Sequence, residues 1–234
     1  MRAWARKQGI TIHMGRIVEL CFEKGAELPD GHPDRKFKGR AVFLGDNVKD
    51  QDWNYAVFDD LGSAPPCMEA SRCADAYSLF PGNSLTASDA ISAYTQAFLM
   101  GLMTWVHLPQ DRWPAHWKGK YTNPVCPLPL ALYGHPDSGG HWEKQCETSV
   151  NECGFDKVDG WDSVFWNDQK KALLIMYVDD FKLAAPKAVS AGIWQDLKKY
   201  IELEDPSDPD RFLGCYTRYF EATASDLAPI LSLK

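Results

Sequence analysis

The segment from residue 163 to 185 constrains the fold more than any other part of the chain. Val164-Phe165-Trp166 has strand composition, Asn167-Asp168-Gln169-Lys170 is turn chemistry, and Ala172 to Val178 is a continuous apolar run. Asp179-Asp180 interrupts that run as a tight turn, and Phe181-Lys182-Leu183-Ala184-Ala185 resumes it. Two connected antiparallel hairpins follow from this spacing. The difficulty lies at the tip. Two adjacent carboxylates repel, and Leu173-Leu174-Ile175-Met176 offers them no local partner. A divalent cation removes the repulsion, because Mg²⁺ prefers carboxylate oxygens and fills the rest of its shell with waters and phosphate oxygens. Without such a cation the tetrapeptide is simply a solvated Asp-Asp turn.

Two ions about 3.5–4 Å apart clamp the attacking and leaving oxygens of an in-line phosphoryl displacement, and a carboxylate from another strand is needed to bridge them. Asp89 suits that place. It closes a short strand, Ser84-Leu85-Thr86-Ala87-Ser88-Asp89-Ala90, and precedes a segment, Ile91 to Met103, with helical periodicity.

The remaining elements follow from local pattern. Residues 8–23 read as strand-rich, with Ile10-Thr11-Ile12 and Ile17 to Phe22, and Pro29 to Asp34 as a turn. Residues 35–44 alternate cation and apolar side chain, the mark of a strand with one basic face. Residues 45–65 are polar loop. A helix is expected over 66–79, with Met68, Ala70, Cys73, Ala74 and Tyr77 on one side. Residues 106–129 are rich in Pro, Trp and Lys and read as irregular. Ser138 or a neighbour starts a helix carrying Trp142, Cys146, Ser149 and Val150, and Gly154 ends it. Ser190 caps another, with Ile193, Trp194, Leu197, Tyr200 and Ile201 on one face, and Phe212 to Tyr216 is a last strand.

The 234 residues suffice for one large domain or two small lobes sharing a core, and 45% hydrophobic with 24% charged residues excludes global disorder. The net charge of −7 argues against a strong free-standing grip on nucleic acid. The charge is uneven: residues 1–40 hold nine Lys/Arg against five Asp/Glu, about +4, which leaves about −11 for the rest. Seven cysteines, an odd number with no Cys-x-x-Cys pair, point away from a disulfide framework or zinc knuckle and toward reduced thiols. There is no signal-peptide pattern and no run of 18 apolar residues, so a cytoplasmic or nuclear chain without a membrane span is expected.

Tyr177-Val178-Asp179-Asp180 resembles the catalytic box of reverse transcriptases, in the form found in Copia-type long-terminal-repeat retrotransposons. Four further segments resemble boxes of that family in the family's order. Lys36-Phe37-Lys38-Gly39-Arg40-Ala41-Val42 is similar to its fingers strand, and Asp89-Ala90-Ile91-Ser92-Ala93-Tyr94 to its first aspartate box. Ala131-Leu132-Tyr133-Gly134 is similar to its Ser-Leu-Tyr-Gly box, and Phe212-Leu213-Gly214 to its primer-grip strand. The resemblance spans roughly residues 35–216.

It implies an α+β fold of right-hand polymerase type, with fingers, an antiparallel palm sheet packed on helices, and the thumb largely absent. The division would be 1–83 fingers-like, 84–105 palm with the first aspartate, 106–137 connection, 138–218 palm with the catalytic hairpin, and 219–234 a truncated tail. The activity implied is RNA-directed DNA polymerisation with two Mg²⁺ ions, for which Mn²⁺ can substitute. Asp89, Asp179 and Asp180 would be the catalytic carboxylates, and the Ala90 carbonyl an added metal ligand. Lys36, Lys38 and Arg40 would hold the incoming triphosphate, with Tyr94 under the sugar rejecting a 2′-hydroxyl. Tyr177, Val178, Phe212, Leu213 and Gly214 would meet primer and template. Partners would be an RNA/DNA template-primer, a deoxynucleoside triphosphate and the rest of a Pol polyprotein, including ribonuclease H and integrase.

One departure is chemical: His135-Pro136-Asp137 stands where the family has Leu-Lys-Gln, so an acid replaces a glutamine that touches the nucleotide. Two other readings are a retrotransposon-derived remnant or interaction module without turnover, and another palm-type nucleotidyl transferase.

Overall fold

The long apolar run around the Asp-Asp turn is continuous because both of its faces are covered. In the structure, a computed structural model describing residues 1–58, 64–221, 223 and 225, the elements run in order. They are α1 (Arg2–Gln8), β1 (His13–Lys24), β2 (Lys36–Phe43), α2 (Met68–Ser78), β3 (Asn83–Asp89), β4 (Thr104–His107), β5 (Cys126–Pro127) and α3 (Ser138–Glu152). Then come β6 (Asp156–Lys157), β7 (Val164–Asn167), β8 (Ala172–Tyr177), β9 (Asp180–Pro186), α4 (Lys187–Leu197), β10 (Arg211–Phe212) and β11 (Cys215–Tyr216). The architecture is mixed α+β.

An antiparallel sheet has the order β3-β9-β8-β7-β6. Leu174 and Met176 of β8 and Phe181 and Leu183 of β9 pack on Trp142 and Cys146 of α3 and on Ile193, Trp194 and Leu197 of α4. Ile175 and Ala184 face the other way, onto Ala70 and Ala74 of α2 and onto Phe212. A strand buried on both sides loses its period-two alternation, hence the unbroken apolar pattern. The outer edge of β3 is covered by residues 202–207: Ala87 exchanges backbone hydrogen bonds with Ser207, and the Ile91 and Glu204 amides donate to Glu202 and Asp89. A covered edge cannot template pairing with another chain.

A second sheet has the order β2-β1-β4-β5, with β1 parallel to β4 and antiparallel to β2. The β1–β2 ribbon pairs Ile17 with Phe43 at one end and Lys24 with Lys36 at the other. Directly paired residues share a face. One face therefore carries Leu20, Phe22, Lys24, Lys36, Lys38 and Arg40, and the opposite face carries Glu19 and Glu23, which pair with Arg112 and Arg35.

The two sheets meet at Leu132-Tyr133-Gly134. The Phe43 amide donates to the Tyr133 carbonyl at 2.7 Å. A Cβ on Gly134 would lie 2.1 Å from the Phe43 carbonyl oxygen, and the backbone there has φ +86°. Only glycine fits both the contact and the conformation.

Several expectations hold. The α2 and α3 helices, the β7–β8–β9 hairpins and the buried Trp142, Cys146, Ser149 and Val150 lie where periodicity places them. Others do not. Residues 91–103 are not a helix: one 3-10 turn spans Ala93–Gln96, entered through Ser92 at φ +52°. Residues 97–99 then pair with 129–131, the Ala131 amide donating to Ala97 and the Leu99 amide to Pro129. That pairing satisfies the backbone, so the apolar spacing marks no buried helical face: Phe98 and Met100 are each 66% exposed. Residues 2–8 are helical, and strand structure begins only at His13, so Ile10 to Ile12 precede it. Ser190 lies inside α4, whose N-cap is Pro186, and Tyr200 and Cys73 are exposed rather than on a buried face. Phe212 to Tyr216 is a two-stranded hairpin, turned at Leu213 (φ +49°) and Gly214 (φ +78°). Residues 59–63 of the expected 45–65 loop, and 222, 224 and 226–234 of the tail, lie outside the described residues. Among the described residues no helix is long and apolar enough to cross a membrane.

His135, the residue after Gly134, is buried at this junction. Its ring sits 4.9 Å from that of Phe43 and 5.1 Å from that of Phe58. The Asp137 amide donates to Nδ1, which leaves the ring proton on Nε2, 3.4 Å from the Thr104 hydroxyl. Burial first, then His13 and His141, push its pKa from 6.5 to about 4. The folded state resists protonation that the unfolded chain accepts near pH 6.5. This contribution to stability is therefore full above pH 6.5 and lost as pH falls toward 4, to an extent of about 3 kcal/mol at most. In chemical denaturation from pH 7 to 4.5, the His135→Asn protein should be weaker at pH 7 but lose less stability on acidification than the wild type. Parallel pH profiles would exclude this role.

Candidate functional site

The carboxylates come together because three backbone devices fix the tip of the β8–β9 hairpin. Tyr177 pairs with Asp180 to close it. Val178 adopts φ +55°, an unusual conformation for a β-branched residue, and its carbonyl accepts a 2.6 Å hydrogen bond from the Trp142 indole N–H. The Ala90 amide donates to the Asp179 carbonyl at 2.7 Å, which ties the end of β3 to the turn. Asp89 is the direct cross-strand partner of Asp180. Like charges in that position repel.

The electrostatics record the repulsion. Burial, then Asp179 and Asp89, push the Asp180 carboxyl up to about 6. The Asp89 carboxyl is also raised, by burial, then by Glu204 and Asp179, against the opposing pull of Lys24 and Lys38.

An open cleft of about 370 Å³ lies between this tip and the basic face of the β1–β2 ribbon, and Lys38, Arg40, Asp89, Ala90, Asp179 and Glu204 all line it. The Arg40 guanidinium is held 5.4 Å from the Phe22 ring and 5.3 Å from the Tyr133 ring. Cations thus face carboxylates across an open cleft.

The other expected site residues fall elsewhere. Asp180 is half-buried beside the cleft and does not line it. Lys36 is exposed, opposite Lys24 at the end of the ribbon, outside the cleft. Tyr94 sits in a 3-10 turn, edge-on to Tyr133 with ring centres 4.6 Å apart, and lines a small neighbouring cavity of about 30 Å³ with Trp142, Tyr177 and Val178. Tyr133 is thus the aromatic ring in the cleft, and Tyr94 stands behind it. Phe212, Leu213 and Gly214 form the hairpin on the α2 side of the sheet and do not line the cleft. Asp137 is the N-cap residue of α3 and is likewise outside it.

Glu204 and Lys24 are cleft or near-cleft groups that motif reading passed over, and Tyr133, part of a recognised box, has no site role in it. Glu204 had a faint signal: Ile201 and Leu203 are buried and Glu202 and Glu204 exposed, a period of two in a segment too short to stand out.

Among the described residues no three His, Cys, Asp or Glu side chains converge as a ready-made metal ligand set. Asp89 and Asp179 offer the cleft two carboxylates. That donor set suits Mg²⁺, which is commonly held by one or two carboxylates and completed by waters and substrate phosphates.

No family model matches the chain, and no curated protein matches it. A solved structure of telomerase from Candida albicans, in complex with a TWJ fragment of telomeric RNA, is similar over 83% of this chain at 8% identity and a TM-score of 0.35. The matched part spans 41% of that chain, and a superposition this loose carries no argument.

The raised Asp180 carboxyl has a consequence for stability. The folded state holds this proton to higher pH than the unfolded chain does. The contribution favours folding below pH 3.8 and is lost as pH rises through about 6. In metal-free buffer, Asp180→Asn should raise stability at pH 7.5 by about 1 kcal/mol, discounted for the group's half exposure, and should give no gain at pH 3.5. Equal effects at both pH values in thermal melts would refute the assignment.

Proposed function

We propose that this chain is the RNA-directed DNA polymerase domain of a Copia-type retrotransposon polyprotein. The antiparallel β3-β9-β8-β7-β6 sheet would be its palm and the β1–β2 ribbon part of its fingers. The observation that carries the reading is the cleft in which Asp89 and Asp179 face Lys38 and Arg40. Nucleotidyl transfer needs this division of labour: carboxylates where metal meets the reacting phosphate, and cations where the departing phosphates lie.

The primer 3′-hydroxyl oxygen would attack the α-phosphorus of a deoxynucleoside triphosphate. The hydroxyl proton passes to solvent water, the bond from that phosphorus to the bridging oxygen breaks, and pyrophosphate leaves with the electron pair. Arg40 offers a planar fork matched to phosphate oxygens, pre-set between two aromatic rings, and Lys38 and Lys24 add compact charge on the same face. Asp89, Asp179 and the Ala90 carbonyl would hold Mg²⁺ or Mn²⁺, with Asp180 beside them. When bound, the metal neutralises phosphate charge and lowers the pKa of the attacking hydroxyl. The Trp142–Val178 and Ala90–Asp179 hydrogen bonds keep the tip in place without substrate. Tyr94 would limit space at the sugar 2′ position through Tyr133, the cleft ring it braces. Template-primer RNA and DNA, ribonuclease H and integrase are the partners this reading entails.

The test is primer extension with the chain, poly(rA)/oligo(dT), Mg²⁺ or Mn²⁺ and labelled dTTP. The wild type should extend the primer, and Asp179→Asn should reduce incorporation by at least 10²-fold, the scale of a lost electrostatic group in a transition state. Tyr94→Ala should narrow the preference for dTTP over UTP. Incorporation unaffected by Asp179→Asn would defeat the assignment, and an unchanged dTTP/UTP ratio would remove Tyr94 from sugar selection.

A further inference from the structure

On the face of the β3-β9-β8-β7-β6 sheet turned toward α2, one residue breaks the apolar pattern. Lys182, in the centre of β9 between Phe181 and Leu183, is 1% exposed. Its Nζ donates to the Ser71 hydroxyl at 2.8 Å and lies 2.6 Å from Asp75 Oδ1. A methionine would fill the same volume without the penalty of desolvating a charge. The helix above is matched to it: Ser71, Asp75 and Ser78 of α2 recur at helical spacing and form a polar stripe where an apolar one would complete the core.

The stripe opens onto a cleft of about 290 Å³ between α2 and the β10–β11 hairpin. Arg72 enters it from α2, and Arg218 from the segment after β11. Both are exposed, and among the described residues neither has a carboxylate partner. Three cations therefore line this cleft against a single acid, Asp75. The walls add apolar and aromatic surface, with Leu85 and Phe212 below and Tyr216 and Tyr219 at the rim. Two guanidiniums without carboxylate partners, in a cleft also lined by tyrosines, match a phosphate joined to a flat aromatic body.

We propose that this cleft binds a phosphate monoester carrying an aromatic base, a nucleoside monophosphate in chemical class. Arg72 and Arg218 hold the phosphate, the tyrosines cover the base, and Lys182 neutralises Asp75 on the floor so that the acid does not repel the ligand. The site lies on a different face of the chain from the Asp89–Asp179 cleft and does not depend on the polymerase reading. A nucleic-acid backbone presents the same phosphate chemistry, so the test separates the two sources.

Titration calorimetry with AMP, inorganic phosphate and an oligonucleotide lacking terminal phosphates is the experiment, run without divalent metal. The wild type should bind AMP more tightly than inorganic phosphate, and the oligonucleotide should not compete. Arg72→Gln and Arg218→Gln, both on exposed positions, should each weaken AMP at least tenfold while melting like the wild type. Asp179→Asn should bind AMP unchanged, whether or not it polymerises. Loss of AMP binding in Asp179→Asn would place the ligand in the other cleft and overturn the proposal. So would AMP affinity indifferent to both arginines, no AMP binding at all, or competition by the oligonucleotide.

Discussion

Holding Asp89, at the end of β3, beside Asp179 and Asp180 at the tip of the β8–β9 hairpin is electrostatically unfavourable, and the surrounding structure is organised to keep them there. The β8–β9 hairpin resists spreading because both of its faces are packed, by α3 and α4 on one side and by α2 on the other. Its tip is fixed by the Trp142 indole on Val178 and by the Ala90 amide on Asp179. Each bond is modest, about 1 kcal/mol net, but each joins an element rooted in the core to the turn. Burial first, and then the repulsion they oppose, keep the Asp180 and Asp89 carboxyls raised. An acidic cluster kept in tension by packing is suited to receive positive charge from a metal or a basic partner.

The basic partner is geometrically separate. The β1–β2 ribbon belongs to the other sheet and reaches the carboxylates through the junction at Tyr133-Gly134, where glycine alone allows the Phe43 backbone to approach. Because paired residues share a face, the ribbon sorts its charges: Lys24, Lys36, Lys38 and Arg40 on one side, Glu19 and Glu23 on the other. The chain is acidic overall at −7. Any attraction for phosphates would therefore rest on this local segregation rather than on net charge.

Much of this was legible in the sequence where the signal was local. The apolar run of 172–178, the Asp-Asp break and the buried stripe of α3 are periodic patterns that tertiary contacts reinforce. The 91–103 segment misled because its backbone is claimed by residues 129–131, a pairing invisible to a helical window. Lys36, Lys38 and Arg40 alternate alike, yet only the latter two reach the cleft, since reach depends on where the ribbon leaves the sheet. Glu204 escaped notice because it arrives through bridges from 202–207 to the edge of β3, more than 100 residues away in the chain. Lys182 read as one more strand residue. Its meaning comes from the polar side chains that α2 sets above it.

The central claim is that Asp89 and Asp179 form half of a metal site whose other half is substrate phosphate. Electron paramagnetic resonance of Mn²⁺ measures this directly, as free ion remaining in the presence of protein with and without dTTP. Binding should be weak with protein alone, strengthen by at least tenfold when dTTP is added beyond what dTTP binds by itself, and collapse in Asp89→Asn. Mn²⁺ binding that ignores dTTP, or survives Asp89→Asn, would contradict the account.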